Sequence, residues 1–192
     1  MPRFSTYRVI AMTIAAASLS ACSYSKLTQQ EQAVGAKWGE VQSELRRRND
    51  LVPNLIDLVK KYEPDEQPVS QALADSRARL TAARTPDETF NAANQQSAAL
   101  ARVPAIVENH PQLKADDAFN RLSGELARAE LSVAVERMEY NALVQLYMTD
   151  RRPLSAALTA GLFRMRDYPF FEAPPKSAFP KVEVKPELDP LR

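Results

Sequence analysis

The chain has 192 residues, with 25 lysines and arginines against 24 aspartates and glutamates, one histidine, one cysteine and four glycines. Charge this evenly balanced, with no basic patch interleaved with aromatics, argues against nucleic acid as a partner. Four scattered glycines build no phosphate-cradling loop, the lone His110 cannot supply a histidine triad or a histidine metal cluster, and a single cysteine excludes an intramolecular disulfide.

The chain opens on what reads as an export signal. Arg3 and Arg8 supply the positive start, residues 9–21 (VIAMTIAAASLSA) the apolar stretch, and Leu19-Ser20-Ala21-Cys22 closes it. Thirteen apolar or small residues are too few to cross a bilayer as a helix, which takes about 20, so residues 1–21 are expected to be a removed signal peptide. Leu-Ser-Ala-Cys resembles a bacterial lipobox, whose cysteine is lipidated and becomes the new first residue. The competing readings are an ordinary cleavage site and an uncleaved anchor. Several acyl chains on Cys22 would hold the chain stably on a membrane, where one chain binds only marginally. Ser23 in place of aspartate suggests outer-membrane delivery by the usual lipoprotein sorting rule. No second apolar run of spanning length follows, which places the rest on the periplasmic side.

Residues 26–62 predict one long helix, about 55 Å at 1.5 Å per residue. With Arg48 at heptad position a, that row holds Leu27, Val34, Val41, Leu55 and Tyr62, and position e holds Trp38, Leu45, Val52 and Val59. Both rows share one face. The phase runs unbroken through Pro53, which predicts a bent helix rather than two. Proline gives up the bond to the Asn49 carbonyl at about 3 kcal/mol, but at outward position f it curves the helix and leaves that carbonyl to water.

Residues 64–84 predict a second helix, opened by Pro64, Asp65 and Glu66, with Val69, Leu73, Ser76, Leu80 and Ala83 on one side. Thr85-Pro86-Asp87-Glu88 is the clearest start signal, a capping box with proline in the first turn. The helix it opens is expected to run to residue 107, with Phe90, Ser97 and Leu100 inward and Pro104 disturbing its last turn. ENHPQLK, residues 108–114, then reads as a loop exposing His110. A fourth long helix is expected over 116–148, with Phe119, Leu126, Val133, Tyr140 and Tyr147 every seventh residue and Leu122, Ala129, Glu136 and Leu143 in a second row. Asp116 and Asp117 at its start suit the helix dipole without a metal.

Four amphipathic helices, short connections and no alternating strand pattern predict an all-α fold, an antiparallel up-down four-helix bundle over residues 22–172. After Pro153, PLSAALTAGLFRM is a short C-terminal helix, apolar on one side through Leu154, Leu158 and Leu162, able to cap the bundle or to touch lipid. Residues 173–192 carry Pro174, Pro175, Pro180, Pro186 and Pro190 among charges and predict an extended, flexible tail.

Two features of the helices bear on function. Arg48 sits in the middle of the apolar stripe, and antiparallel counting puts it near Val133, one turn from the inward Glu136, so a buried Arg48–Glu136 pair is expected to help fix register. Arg47, Asp50, Asn54, Asp57 and Lys61 recur at intervals of three and four along a polar flank of the first helix. They form either a solvated face with internal charge pairs or a strip on which a partner docks. Gly35 and Gly39 have membrane-dimer spacing in polar surroundings, which removes that motif's context. Trp38 belongs to the core by its heptad position.

An N-terminal membrane signal, then RRRNDLVPNL (46–55) with Lys60, Lys61 and Tyr62 after it, then ENHPQLKA (108–115), Tyr140-Asn141, and AGLF (160–163) with Phe170-Phe171-Glu172, resemble the LemA family in that order over residues 24–173. The resemblance implies a membrane-anchored antiparallel helical bundle of the bacterial envelope, with no reaction established and with proposed roles in membrane stress and signalling. Glu63-Pro64-Asp65-Glu66 stands where the family often has a histidine-glutamate pair, and YMTDRRPLS (147–155) departs from its usual exit from the fourth helix.

The expectation is therefore a lipid-anchored periplasmic scaffold or protein-binding module with an envelope protein as partner, and with no catalytic residue, metal, cofactor or small-molecule substrate. A non-specific structural spacer is the alternative. A carboxylate-based enzyme would need an inward Glu-x-x-His pair, which the sequence lacks.

Overall fold

The computed structural model describes residues 3–62 and 67–174, with side chains from residue 24 onward except 154, 155 and 159. It is all-helical: α1 (Arg3–Tyr62), α2 (Gln67–Ala82), α3 (Pro86–Leu100), α4 (Val103–Asn109), α5 (Pro111–Lys114), α6 (Asp117–Asp150) and α7 (Leu154–Leu162), with no strand among the described residues. The expected helix opening at Pro64, Asp65 and Glu66 and the tail beyond Pro174 lie outside the described residues.

The heptad rows decide what α1 buries. Leu27, Val34, Val41, Leu45, Arg48, Val52, Leu55 and Val59 are all buried, while Trp38 and Tyr62 are half-buried. The helix passes through Pro53 without a break, with the ring half-buried. It also starts earlier than expected, at Arg3 rather than residue 26. The alanine-rich stretch before Cys22 is a strong helix former and extends the same element. No helix among the described residues is long and apolar enough to cross a membrane.

The chain divides into two compact units, one of Met1–Arg47 with Ala129–Phe171 and one of Arg48–Arg128 with Glu172–Arg192. In the second unit, Val52, Leu55, Ile56 and Val59 of α1 form one core with Val69 and Leu73 of α2, Ala99 of α3, Val103 and Ile106 of α4, Leu113 of α5, and Phe119, Leu122 and Leu126 of α6. α2 and α3 pack as a hairpin. The expected capping box is formed: Thr85 Oγ accepts from the Glu88 amide at 3.2 Å, and the Glu88 carboxylate accepts from the Thr85 amide at 3.2 Å. Together they satisfy two amide donors that the helix itself leaves unpaired.

Two expectations about residues 86–114 need correction. The third helix stops at Leu100 instead of residue 107, and α4 starts afresh with Pro104 in its first turn. A proline has no amide to donate to the fourth carbonyl before it, but in a first turn no such bond is required. The segment expected as a loop is largely helical, because Pro111 repeats the device and opens α5. Leu113 is fully buried, so this segment is part of the core. His110 lies between the two short helices, half-buried rather than on an open loop.

In the first unit, Val133, Tyr140, Val144 and Tyr147 of α6 are buried, as are Ala156 and Ala160 of α7 and, beyond it, Met165 and Phe171. The Trp38 ring meets Tyr140 at 5.9 Å between centroids.

Candidate functional site

The five residues of the polar flank are all exposed on α1: Arg47, Asp50, Asn54, Asp57 and Lys61. The ends of the row have local partners. Arg47 lies 3.8 Å from Glu44, and Lys61 is 3.5 Å from Asp116 and donates to the Tyr62 hydroxyl at 3.2 Å. Asp50, Asn54 and Asp57 point to solvent between them.

Arg48 is fully buried, with its guanidinium fork spread over α3: Nε donates to Gln96 Oε1 at 2.8 Å, Nη1 to Ser97 Oγ at 2.8 Å, and Nη2 to the Ala93 carbonyl at 2.9 Å. Gln96 Nε2 donates on to Asn49 Oδ1 at 2.7 Å, and Asn49 Nδ2 to Thr81 Oγ at 3.2 Å. The result is a buried polar chain through α1, α2 and α3. Gln96, fully buried, is the inward residue of α3 where Ser97 was expected, and Ser97 is half-buried.

Glu136 does not take the role assigned to it. Within its own unit it receives Lys37 Nζ at 3.0 Å, and Lys37 also reaches Glu139 at 2.6 Å and Glu40 at 2.5 Å. A long aliphatic stem lets a flanking lysine snorkel to a carboxylate at the core's edge. The hydrogen bond to Glu139, with those to Glu40 and Glu136, raises the Lys37 ammonium above the ordinary lysine range. The expected Arg48–Glu136 pairing thus gives way to Arg48 on Gln96 and Ser97, and Glu136 on Lys37.

Asp116 caps α6. Its Oδ1 accepts from the amides of Ala118 at 2.7 Å and Phe119 at 3.1 Å, while Oδ2 accepts from the Tyr62 hydroxyl. The Tyr62 bond first, and the Phe119 amide next, hold this carboxyl down at about 2. A depressed carboxyl stabilises the fold in its ionised form. Its contribution is complete above the ordinary value of 3.8 and fades as pH falls toward 2. In thermal melts between pH 2 and 5 the unmodified chain is therefore expected to lose Tm more steeply than Asp116→Asn. Parallel curves would reject that role.

The chain after α7 is bound to α6 by side chains acting on backbone. Asn141 holds Phe171 at both ends of its amide, donating to the Phe171 carbonyl at 2.9 Å and accepting from its N–H at 2.8 Å. Tyr140 donates to the Pro169 carbonyl and Tyr147 to that of Arg166, each at 2.9 Å. Arg137 lies over the buried Phe171 ring, 5.8 Å from its centroid. Burial raises the Tyr147 hydroxyl to about 12, which keeps it a donor.

No group of three or more His, Cys, Asp or Glu among the described residues could hold a metal ion. What stands out instead is the outer side of α6. Leu131, Val135, Met138 and Leu146 are exposed large apolar residues, with exposed Ala142 between the last two. Their steps of four, three, four and four keep them on one face of the helix. Val133, Tyr140, Val144 and Tyr147 occupy the opposite face and are buried. A surface helix normally shows solvent a polar back. This one has an apolar face on each side, and the outer one is a continuous ridge of about four turns. The heptad rows did not reveal it, although its spacing is present in the sequence.

A comparison with family models matches residues 37–185 to one described as the LemA family. A comparison with curated proteins finds no match.

Proposed function

Because the chain belongs to the LemA family, we propose that it is a non-enzymatic docking module of the bacterial envelope, tied to lipid through Cys22 and offering the outer face of α6 to a helix of another envelope protein. Membership of this family is consistent with a membrane-associated protein. On this reading Cys22 becomes the first residue and carries the acyl chains, the folded part faces the periplasm from the outer membrane, and α1, α2, α3 and α6 are the members of an up-down four-helix bundle. A role in membrane stress or signalling is exercised through the docked partner.

The exposed ridge of Leu131, Val135, Met138, Ala142 and Leu146 carries this reading. An amphipathic helix recognises a surface through anchors at steps of three and four, and such a ridge offers them in that spacing. Contiguous exposed apolar area is uncommon on a monomer without a partner.

The test is cross-linking in membranes followed by capture of the full chain, comparing the unmodified protein with Leu131→Glu and Met138→Glu. Both side chains are about two-thirds exposed, at 67% and 68%, so the variants are expected to melt normally and to lose a single stoichiometric partner. A partner that survives both variants but is lost in Asp50→Ala and Asn54→Ala assigns docking to the polar strip on α1. No captured partner favours the spacer, and a co-purifying metal favours an enzyme.

A further inference from the structure

We infer that the outward face of α7, together with Phe163 and Tyr24, is a second membrane contact that lies in the headgroup layer of the bilayer holding the chain. The inference rests on the membrane attachment proposed above and adds a surface to it.

From Pro153 to Phe163 the chain carries no charge. Among the residues of α7 whose side chains are described, Ala156 and Ala160 are buried and Ala157, Leu158, Gly161 and Leu162 are exposed, followed by exposed Phe163. Leu158 is 67% exposed, Leu162 78% and Phe163 54%. Such a face is costly in water and suits an interfacial helix.

Its position identifies what covers it. The Phe163 ring packs against Tyr24 at 4.3 Å between centroids, the two planes tilted by 42°, and Tyr24 follows the apolar run of residues 9–21 by three positions. Two polar contacts hold the same end together: Lys26 pairs with Asp150 at 3.0 Å, and the Arg166 amide donates to Glu31 at 3.2 Å. Whether the apolar run is exchanged for acyl chains on Cys22 or kept as an anchor, lipid begins at this end of α1, and α7 is pinned beside it.

The charges around the patch suit an anionic bilayer surface. Exposed Arg152 precedes α7, exposed Arg164 and Arg166 follow it, and the exposed carboxylate beside them, Asp167, is paired with Arg151 at 2.6 Å. Arginine stems can lie over apolar surface while the guanidinium groups reach phosphates. Tyrosine, with an apolar ring and a polar tip, is one of the two aromatic residues enriched at the headgroup level. The α6 ridge does not share this position: Leu131 is about 28 Å along the helix from Asp150.

The experiment uses the full chain, lipidated in cells and reconstituted into phosphatidylethanolamine and phosphatidylglycerol vesicles with brominated acyl chains. In a Trp38→Phe background, a single tryptophan is placed by Phe163→Trp, Leu162→Trp or Leu131→Trp. Emission from positions 162 and 163 is expected to fall by about half in brominated vesicles and to be shielded from aqueous iodide, while position 131 shows the reverse. Quenching at 162 and 163 no greater than at 131 overturns the inference. So does shielding from bromine and iodide alike, which would put a protein or a second copy on the patch. A chain that fails to float with the vesicles overturns the attachment as well.

Discussion

Arg48→Ala is expected to cost about 3 to 5 kcal/mol and to lower Tm by roughly 10 °C in a chain of this size. The guanidinium is wholly buried and satisfies Gln96 Oε1, Ser97 Oγ and the Ala93 carbonyl at once. Truncation leaves those acceptors without their donor and opens a void where the side chain lay. Lysine is a poor rescue, because a point charge cannot reproduce a planar fork reaching three acceptors. Gln96→Leu should cost less, about 2 kcal/mol, by stranding Arg48 Nε and Asn49 Oδ1. Combining Arg48→Met with Gln96→Leu removes both sides of the Arg48–Gln96 link, so the double variant is expected to lose less than the sum of Arg48→Met and Gln96→Leu made singly. Strictly additive losses in denaturant titrations would show that the chain from Arg48 through Gln96 to Asn49 is not energetically coupled.

Phe171→Ala is the second large effect, expected at about 3 to 5 kcal/mol for an aromatic ring removed from the core. Phe171 is only 2% exposed, and Asn141 holds its backbone at both ends. Asn141→Ala removes two hydrogen bonds and is expected to cost about 2 kcal/mol. Asn141→Asp should be no better: it keeps an acceptor for the Phe171 amide but sets a carboxylate against the Phe171 carbonyl. Because the segment is attached at its own few points, detachment is local. Hydrogen exchange is the measurement that distinguishes this. Amides of residues 165–172 should exchange faster in Asn141→Ala while those of α6 keep their protection. Uniform acceleration along α6 would mean that these residues hold the whole unit together instead.

The inward rows of α1 were readable because burial on a helix follows a period that the sequence carries openly: Leu27, Val34, Val41 and Leu55 are buried where the heptad puts them. Arg48 was readable as a buried cation but its companions were not. Opposite charge is the simplest partner to infer for a buried cation, and Glu136 is the carboxylate that antiparallel counting places within a turn of Arg48. The neutral amide of Gln96 announces nothing in a hydropathy pattern. The break before α4 was half-legible, since Pro104 signals a disturbance in either reading, and only packing decides between a distorted turn and a new start. Tyr140-Asn141 and Phe170-Phe171-Glu172 are both distinctive in the sequence, but their link is not legible there because Asn141 grips backbone 30 residues away. The α6 ridge was hidden for another reason. Apolar residues on two opposite faces cancel in any measure of one-sidedness, so the helix looks merely mixed.

That two-sidedness has a practical consequence. Removed from its surroundings and concentrated, a molecule with an unmet greasy rib will find the same rib on its neighbours. Dimers or larger species seen in concentrated, detergent-free samples would then report the uncovered rib rather than the native stoichiometry, and a glutamate at 131 or 138 that restores a monodisperse sample would reveal which they were.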